Sequence, residues 1–91
     1  MKNQIQSGAT LLQQRLVRPA FPAPMPLYMA PVGLFDFEGI LCVKTEYSQA
    51  RRPDAYILES GEYFWGGTDD PHEAAMLMVM PLEVGPANRN R

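Results

Sequence analysis

Cysteine is nearly absent from this chain of 91 residues, which contains only Cys42. A single thiol cannot form an internal disulfide, so the sequence excludes the small secreted scaffolds that disulfides stabilise. Long apolar runs are absent too, because the longest, residues 74–80, is far too short to span a membrane. Lys2 is followed by no unbroken apolar stretch of the kind that a signal peptide needs. We therefore expect a cytoplasmic protein that makes no membrane contact.

Positive charge is scarce in the middle of the chain. Residues 27–84 hold three cations against all ten acids, a net charge of −7, whereas residues 1–26 carry three cations and no acid. This disfavours direct binding to nucleic acid, which needs cationic groups to displace counterions. An acidic surface can attract a basic protein surface, although many cytoplasmic domains are acidic simply for solubility.

The N-terminal residues 1–18 predict an arm with a short helix. Ser7 is a suitable N-cap, and Ile5, Leu12 and Leu16 share one narrow apolar face. Pro19 ends the helix, because proline disfavours the helical conformation of the residue before it. About eleven residues are too few for a stable isolated helix, so the arm either docks or frays.

Five prolines lie between residues 19 and 31. Proline removes backbone donors, so residues 19–33 predict a stiff, extended linker rather than sheet. Residues 34–84 predict a β-rich globular domain, and residues 85–91 predict a disordered tail. A core this small often gains stability from a homo-oligomer or a partner.

The clearest strand covers residues 39–47. Its alternation places Leu41, Val43, Thr45 and Tyr47 on one face, with Ile40 and Cys42 on the other. Lys44 and Glu46 are expected to lie where the strand leaves the core.

A hairpin over residues 54–66 follows, turning at Ser60-Gly61. A two-residue loop would pair Leu58 with Tyr63, Ile57 with Phe64 and Tyr56 with Trp65. Both of its faces are apolar, so the sheet is expected to be covered on both sides or curled.

Asp70-Pro71-His72-Glu73 predicts a helix start, with Asp70 as N-cap and Glu73 completing a capping box. Residues 74–82 continue this helix to Pro81 or, as we prefer, form a closing strand from about Met76. The predicted fold is therefore α+β, with a small antiparallel sheet of three to four strands and a short helix near residues 70–76. The separate N-terminal helix on its Pro-rich linker completes this prediction.

Catalytic chemistry has little support in the sequence. Cys42 and His72 are the only thiol and imidazole, but a thiol inside an apolar strand usually behaves as a small buried hydrophobe. Asp69, Asp70, His72 and Glu73 offer metal-ligand atoms, although helix capping explains Asp70 and Glu73 without a metal. We predict no enzyme activity, no cofactor and no metal site.

The residue types around Trp65 suggest a different function. Tyr56, Tyr63 and Trp65 beside Gly66-Gly67 could form the floor of a pocket for a planar ligand. The alternative interpretation is an aromatic core patch followed by an exit loop. Arg51-Arg52 is the only basic pair in the acidic domain, and its pattern is typical of a solvated turn.

Three segments carry a resemblance to a known family: the strand ILCVKTEY, the hairpin arm GEYFWGG and the closing VMPLEVGP. Together they resemble small phage- and prophage-encoded proteins, in particular the domain-of-unknown-function family 551. The tryptophan-led opening of that family is replaced here by the proline linker. The resemblance implies an accessory protein of a mobile element and carries over no activity or site residue.

The leading hypothesis is a small non-catalytic protein that binds and modulates a basic surface of a host protein. Its predicted contacts are the acidic and apolar residues Glu59, Glu62, Asp69, Asp70, Glu73, Leu12 and Leu16. The alternative is a small-ligand-binding module with an aromatic pocket formed by Tyr56, Tyr63 and Trp65.

Overall fold

The computed structural model describes residues 17–84. The helix predicted for the arm, apart from its last two residues, and the predicted tail lie outside the described residues. So do the predicted partner-binding residues Leu12 and Leu16.

The described chain forms one antiparallel sheet and one short helix. The elements are β1 (Val17–Pro19), β2 (Met25–Pro26), a 3₁₀ turn (Leu27–Met29), β3 (Gly33–Phe37), β4 (Ile40–Lys44), β5 (Ala55–Ile57), α1 (Pro71–Met76) and β6 (Met78–Val84). The strand order is β1-β6-β3-β4-β5, and β2 also pairs with β6. This confirms the predicted α+β class, but the sheet has six strands rather than three to four.

The additional strands come from residues predicted as helix end and linker. Val17, Arg18 and Pro19 pair with residues 82–84, and Met25 and Pro26 pair with residues 78–79. Both strands lie on the outer side of β6, where proline is tolerated because an edge strand needs fewer backbone donors. The prediction of a helix through Arg18 and of a linker without sheet was therefore wrong at these positions.

The core lies on one face of the sheet. Phe35, Cys42, Ala55 and Val79 contribute from the strands, while Leu27 and Ala30 come from the 3₁₀ turn and its end, and Phe64 from the segment after β5. The ring of Phe64 makes edge-to-face contacts with Phe35 and Phe37, at centroid distances of 5.3 and 5.2 Å. Leu27 and Ala30 were predicted as linker, yet both are buried because β2 brings the 3₁₀ turn over the sheet.

Lys44 departs from its predicted place at the rim of the core. Its side chain is only 7% exposed, and its Nζ donates to the carbonyls of Leu27, Tyr28 and Ala30 at 3.0, 3.4 and 2.5 Å. These are carbonyls of the 3₁₀ turn and its C-cap, and that of Leu27 also accepts a hydrogen bond from the amide of Ala30 within the turn. Burial lowers the pKa of the Lys44 amine. Lys44 therefore attaches the 3₁₀ turn to β4.

The hairpin turns around a longer loop than predicted. Tyr56 pairs with Tyr63, and the amide of Ile57 donates to the carbonyl of Glu62. The loop thus covers residues 58–61, and Gly61 takes the positive φ of 76° that the turn requires. The predicted register was wrong by two residues. A shift of two preserves the facing of every side chain, because strand alternation has a period of two.

The predicted helix start at Asp70 is confirmed. The carboxylate of Asp70 accepts from the amide of His72, and Pro71 occupies the first helical position. Asp70 N donates to Thr68 Oγ1, an arrangement that takes the place of the predicted capping box with Glu73. After one residue the chain enters β6, so the strand interpretation of this region is correct. No helix among residues 17–84 is long and apolar enough to cross a membrane.

Candidate ligand-binding cleft

Residues 63–65 place aromatic rings on both sides of the chain. Phe64 points into the core, whereas Tyr63 and Trp65 face the opposite way, as alternation requires. Tyr63 lies between Tyr56 and Trp65, with centroid distances of 5.8 and 4.8 Å and edge-to-face geometry. The structure thus brings together all three residues that the sequence proposed for a planar ligand. We call Tyr56, Tyr63 and Trp65 the aromatic row.

The loop between β4 and β5 stands beside this row and is closed by hydrogen bonds. The amide of Thr45 donates to the carbonyl of Asp54 at 2.8 Å, and the amide of Asp54 donates to Ser48 Oγ at 2.8 Å. Gln49 and Arg52 exchange backbone hydrogen bonds of 3.0 and 3.1 Å. The backbone of Arg52 therefore has a defined position at the end of an exposed turn.

A cleft of about 330 Å³ opens between this loop and two members of the aromatic row, Tyr63 and Trp65, whereas the predicted ligand-binding residue Tyr56 does not line it. Its walls combine aromatic rings, one guanidinium, one carboxylate and two prolines: Tyr47, Gln49, Arg52, Pro53, Asp54, Tyr63, Trp65 and Pro71. Trp65 is 43% exposed and Tyr47 is 76% exposed, so both rings offer surface to a ligand. This volume lies within the range of small-molecule sites.

Hydrogen bonds to Asp54 and Pro53 fix three hydroxyl groups in and beside the cleft. Asp54 Oδ1 accepts from the hydroxyl of Tyr56 at 2.8 Å, and Oδ2 accepts from the hydroxyl of Thr45. The hydroxyl of Tyr63 donates to the carbonyl of Pro53. The two tyrosine bonds join the aromatic row to the β4–β5 loop, and the Thr45 bond closes that loop on itself, so the walls of the cleft are connected before any ligand arrives.

Both phenols next to Asp54 keep their protons at neutral pH. The hydrogen bond to Asp54, with burial and nearby charge, raises the pKa of Tyr56. Burial and the charge of Asp54 raise the pKa of Tyr63, while the positive charge of Arg52 acts in the opposite direction. Tyr63 therefore senses both charges of the cleft and stays a hydrogen-bond donor.

A second cleft, of about 400 Å³, lies on the other side of Tyr63 and Trp65. It is bordered mainly by Phe37, Ile40, Ile57, Phe64 and the two glycines at 66 and 67, with Glu38 and Glu62 at its rim. Its aromatic and aliphatic lining offers no cation. The first cleft is therefore the one with a group that can fix the orientation of a charged ligand.

The predicted acidic contacts are exposed, with one exception. Glu59 and Glu62 lie at the 58–62 turn, and Asp69 and Glu73 are exposed near the start of α1. Asp70 caps α1, so its carboxylate is already engaged. Within residues 17–84 the one ion pair joins Arg18 to Glu83 at 2.9 Å. The exposed predicted contacts Glu59, Glu62, Asp69 and Glu73 therefore form no ion pair within that range.

The thiol and the imidazole occupy different environments. Cys42 is 0% exposed in the core cluster, and burial together with the charge of Asp36 raises the pKa of its thiol to about 12. His72 is exposed in the first turn of α1. Across the part of the chain that the structure describes, no three His, Cys, Asp or Glu side chains converge as metal ligands.

Sequence reasoning missed most of the non-aromatic wall of the cleft. Arg52 was interpreted as part of a solvated turn, and Tyr47, Asp54 and Pro71 were not connected with Trp65. The one available signal was the basic pair Arg51-Arg52 in an otherwise acidic domain.

Comparison of the chain with protein-family models, curated proteins and solved structures found no match.

Proposed function

We propose that this protein is a non-catalytic binding module whose 330 Å³ cleft takes a small planar ligand with a negatively charged group. The observation that supports the proposal is that the exposed Trp65 and the cationic residue Arg52 line the same cleft. A flat ring can stack on Trp65 and Tyr47, while the guanidinium of Arg52 pairs with a carboxylate or phosphate.

The surrounding charge makes Arg52 the selective element of the cleft. Residues 27–84 carry a net charge of −7, so an anion is repelled from most of this surface. Asp54 also lines the cleft, but the hydroxyls of Tyr56 and Thr45 occupy its two oxygens. The cleft therefore favours ligands whose anionic group reaches Arg52 while their ring lies over Trp65.

Fluorescence of the single tryptophan provides the test. AMP and 4-hydroxybenzoate are titrated separately, with adenosine as the uncharged counterpart of AMP. We expect saturable quenching of Trp65 by at least one of the two anions. We expect adenosine to bind more weakly than AMP, by about fivefold or more, since one charge-assisted contact contributes about 1 kcal/mol or more. If neither anion quenches saturably, the proposal is wrong.

Adjacent arginines supply a matched control. Arg52→Gln should weaken binding of the quenching anion by about fivefold or more while leaving adenosine unchanged. Arg51→Gln removes the same charge from the neighbouring position, which does not line the cleft, and should leave binding unchanged. Equal losses in the two variants would show that net charge, rather than a contact with Arg52, attracts the ligand.

A second candidate function is capture of a basic host protein by the acidic surface, as an accessory protein of a mobile element would do. The observation that favours it is the group of exposed acids Glu59, Glu62, Asp69 and Glu73, which form no ion pair with another residue of 17–84. Changing these four residues to Lys should abolish capture of a basic protein from host lysate. A control with Glu38→Lys and Glu46→Lys should retain much of the capture. Equal capture by both variants would contradict an acidic contact surface.

A further inference from the structure

The sheet has a second apolar face, opposite the core cluster. The strand registers place on it apolar side chains from four neighbouring strands: Val17 of β1, Met80 and Leu82 of β6, Leu34 of β3, and Leu41 and Val43 of β4. None of these residues belongs to the core cluster, which occupies the other face. The 3₁₀ turn and Phe64 cover only that core face.

Burial on this second face shows that another layer covers it. Leu41 is 2% exposed and Val17 is 6% exposed, although both side chains point away from the core cluster. Neighbours within one sheet leave the tops of side chains open, so burial this complete needs atoms above the sheet. Val17 on β1 and Leu41 on β4 mark the two ends of the covered area. They lie three strand spacings apart across the sheet, about 14 Å, and four residues apart along the strands, about 13 Å, so about 20 Å separates them.

A carboxylate lies in the middle of this face. Asp36 of β3 pairs with Leu41 on one side and with Met80 on the other. Its Oδ1 is buried and receives no hydrogen bond within the described range, while Oδ2 accepts only a long bond of 3.4 Å from the amide of Gly39. A buried carboxylate oxygen is unfavourable unless a donor or a cation meets it. The covering layer is therefore expected to bring positive charge or donors.

We propose that this layer is the protein's own N-terminal segment, residues 1–16, packed across the second face through Leu12 and Leu16. The segment joins the sheet at Val17, whose side chain lies on that face. A helix over residues 7–16 would be about 15 Å long, and residues 1–6 add more than the remaining distance of about 5 Å that is needed to reach Leu41 from Val17. The proposal is independent of the ligand cleft.

Charge supports the same occupant. Residues 1–16 contain Lys2 and Arg15 and no acid, whereas a second copy of residues 17–84 would present its many carboxylates to Asp36. The arm offers cations to a face whose central polar group is an acid. Its apolar positions Ile5, Leu12 and Leu16 then lie against aliphatic side chains instead of water.

Aspartate substitutions on and off the apolar stripe of residues 1–16 test whether this segment packs on the second face of the sheet. Leu12→Asp and Leu16→Asp place a charge against the second face and should lower the thermal midpoint by about 10 °C, the loss of one buried leucine in a domain of this size. Leu11→Asp is the matched control, because residue 11 lies off the stripe formed by residues 5, 12 and 16, and its midpoint should change by less than half as much. Equal shifts in the three variants would overturn the proposal.

A spin label separates packing within one chain from packing between chains. The full chain with Cys42→Ala and Ser7→Cys carries a nitroxide at position 7. We expect loss of amide signals from Leu34, Leu41 and Met80 within the labelled molecule, with none in an equimolar mixture of spin-labelled unenriched and ¹⁵N-enriched unlabelled protein. Signal loss in the mixture would show that a second copy covers the face, and no loss in either sample would leave the arm undocked. Either result would overturn the proposal.

Discussion

Two aromatic clusters of three rings lie on opposite sides of the same short segment, residues 63–65. The core cluster joins Phe64 to Phe35 and Phe37 at 5.2–5.3 Å, and the aromatic row joins Tyr63 to Tyr56 and Trp65 at 4.8–5.8 Å. The ring geometry is similar in both, but Phe64 is 1% exposed and Trp65 is 43% exposed. Strand alternation thus divides one aromatic run between a stabilising cluster and a surface that can bind.

The largest expected effect is the removal of the shared ring of the core. Phe64→Ala should lower the free energy of unfolding by about 3–5 kcal/mol, because it leaves a cavity against Phe35 and Phe37. Trp65→Ala should cost about 1 kcal/mol, since much of its ring already faces water. Guanidinium denaturation of the two variants measures the difference. Comparable losses would mean that the aromatic row is also part of the core.

The two glycines after Trp65 provide the next comparison. Both have positive φ, 68° at Gly66 and 87° at Gly67. A Cβ at Gly66 would lie 2.1 Å from Leu77 Cδ1 and 3.0 Å from Phe64 Cζ, whereas a Cβ at Gly67 would meet nothing within 4 Å. We expect Gly66→Ala to cost about 2–4 kcal/mol and Gly67→Ala only the backbone strain of about 1 kcal/mol. Similar unfolding midpoints for both would contradict the close packing at Gly66.

A smaller effect should follow the loss of one hydroxyl from the aromatic row. Tyr63→Phe removes the donor to the carbonyl of Pro53 and should cost about 1 kcal/mol. It should also weaken the binding of the anion that quenches Trp65, because the loop that carries Arg52 loses an attachment. Tyr28→Phe serves as control, since Tyr28 is 40% exposed and distant in sequence from the cleft. Unaltered unfolding and binding in Tyr63→Phe would exclude a positioning role for this hydroxyl.

The smallest expected effect is a loss of stability at alkaline pH, which reports on the burial of Cys42 in the core. The Cys42 thiol has its pKa raised from 9.0 to about 12, so the folded state holds a proton that the unfolded state loses first. The contribution of this proton is fully present below about pH 9 and declines as pH rises towards 12. Relative to Cys42→Ala, the stability of the native chain should fall by about 1 kcal/mol between pH 8 and pH 10. A constant difference over that interval would show that the thiol is not desolvated.

Local signals in the sequence were sufficient to predict several structural features. Asp70-Pro71 predicted the start of α1, and the alternation of residues 40–44 predicted both faces of β4 correctly. The aromatic row survived a wrong register, because an error of two residues leaves Tyr56, Tyr63 and Trp65 on one face. In each case the information lies within a few residues, where capping, proline geometry and side-chain alternation operate.

Pairings between distant residues could not be obtained in this way. Val17–Pro19 look like the end of a helix next to a proline linker, yet they pair with residues 82–84 at the far end of the described chain. Lys44 looks like a surface residue, and only the arrival of three carbonyls from residues 27–30 makes its burial favourable. Arg52 and Trp65 line one cleft because the β4–β5 loop closes on Asp54, which no local pattern indicates.

The difference between the features that the sequence predicted and those that it did not predict has a simple physical basis. Composition, charge and side-chain period specify which residues prefer water, which face of a strand is apolar and where a helix begins. They do so because these preferences belong to the residue and its immediate neighbours. The partners of β6, the burial of Lys44 and the assembly of the cleft depend on free energies that exist only after the sheet has formed. Those features belong to the tertiary structure, and the cleft beside Trp65 is one of them.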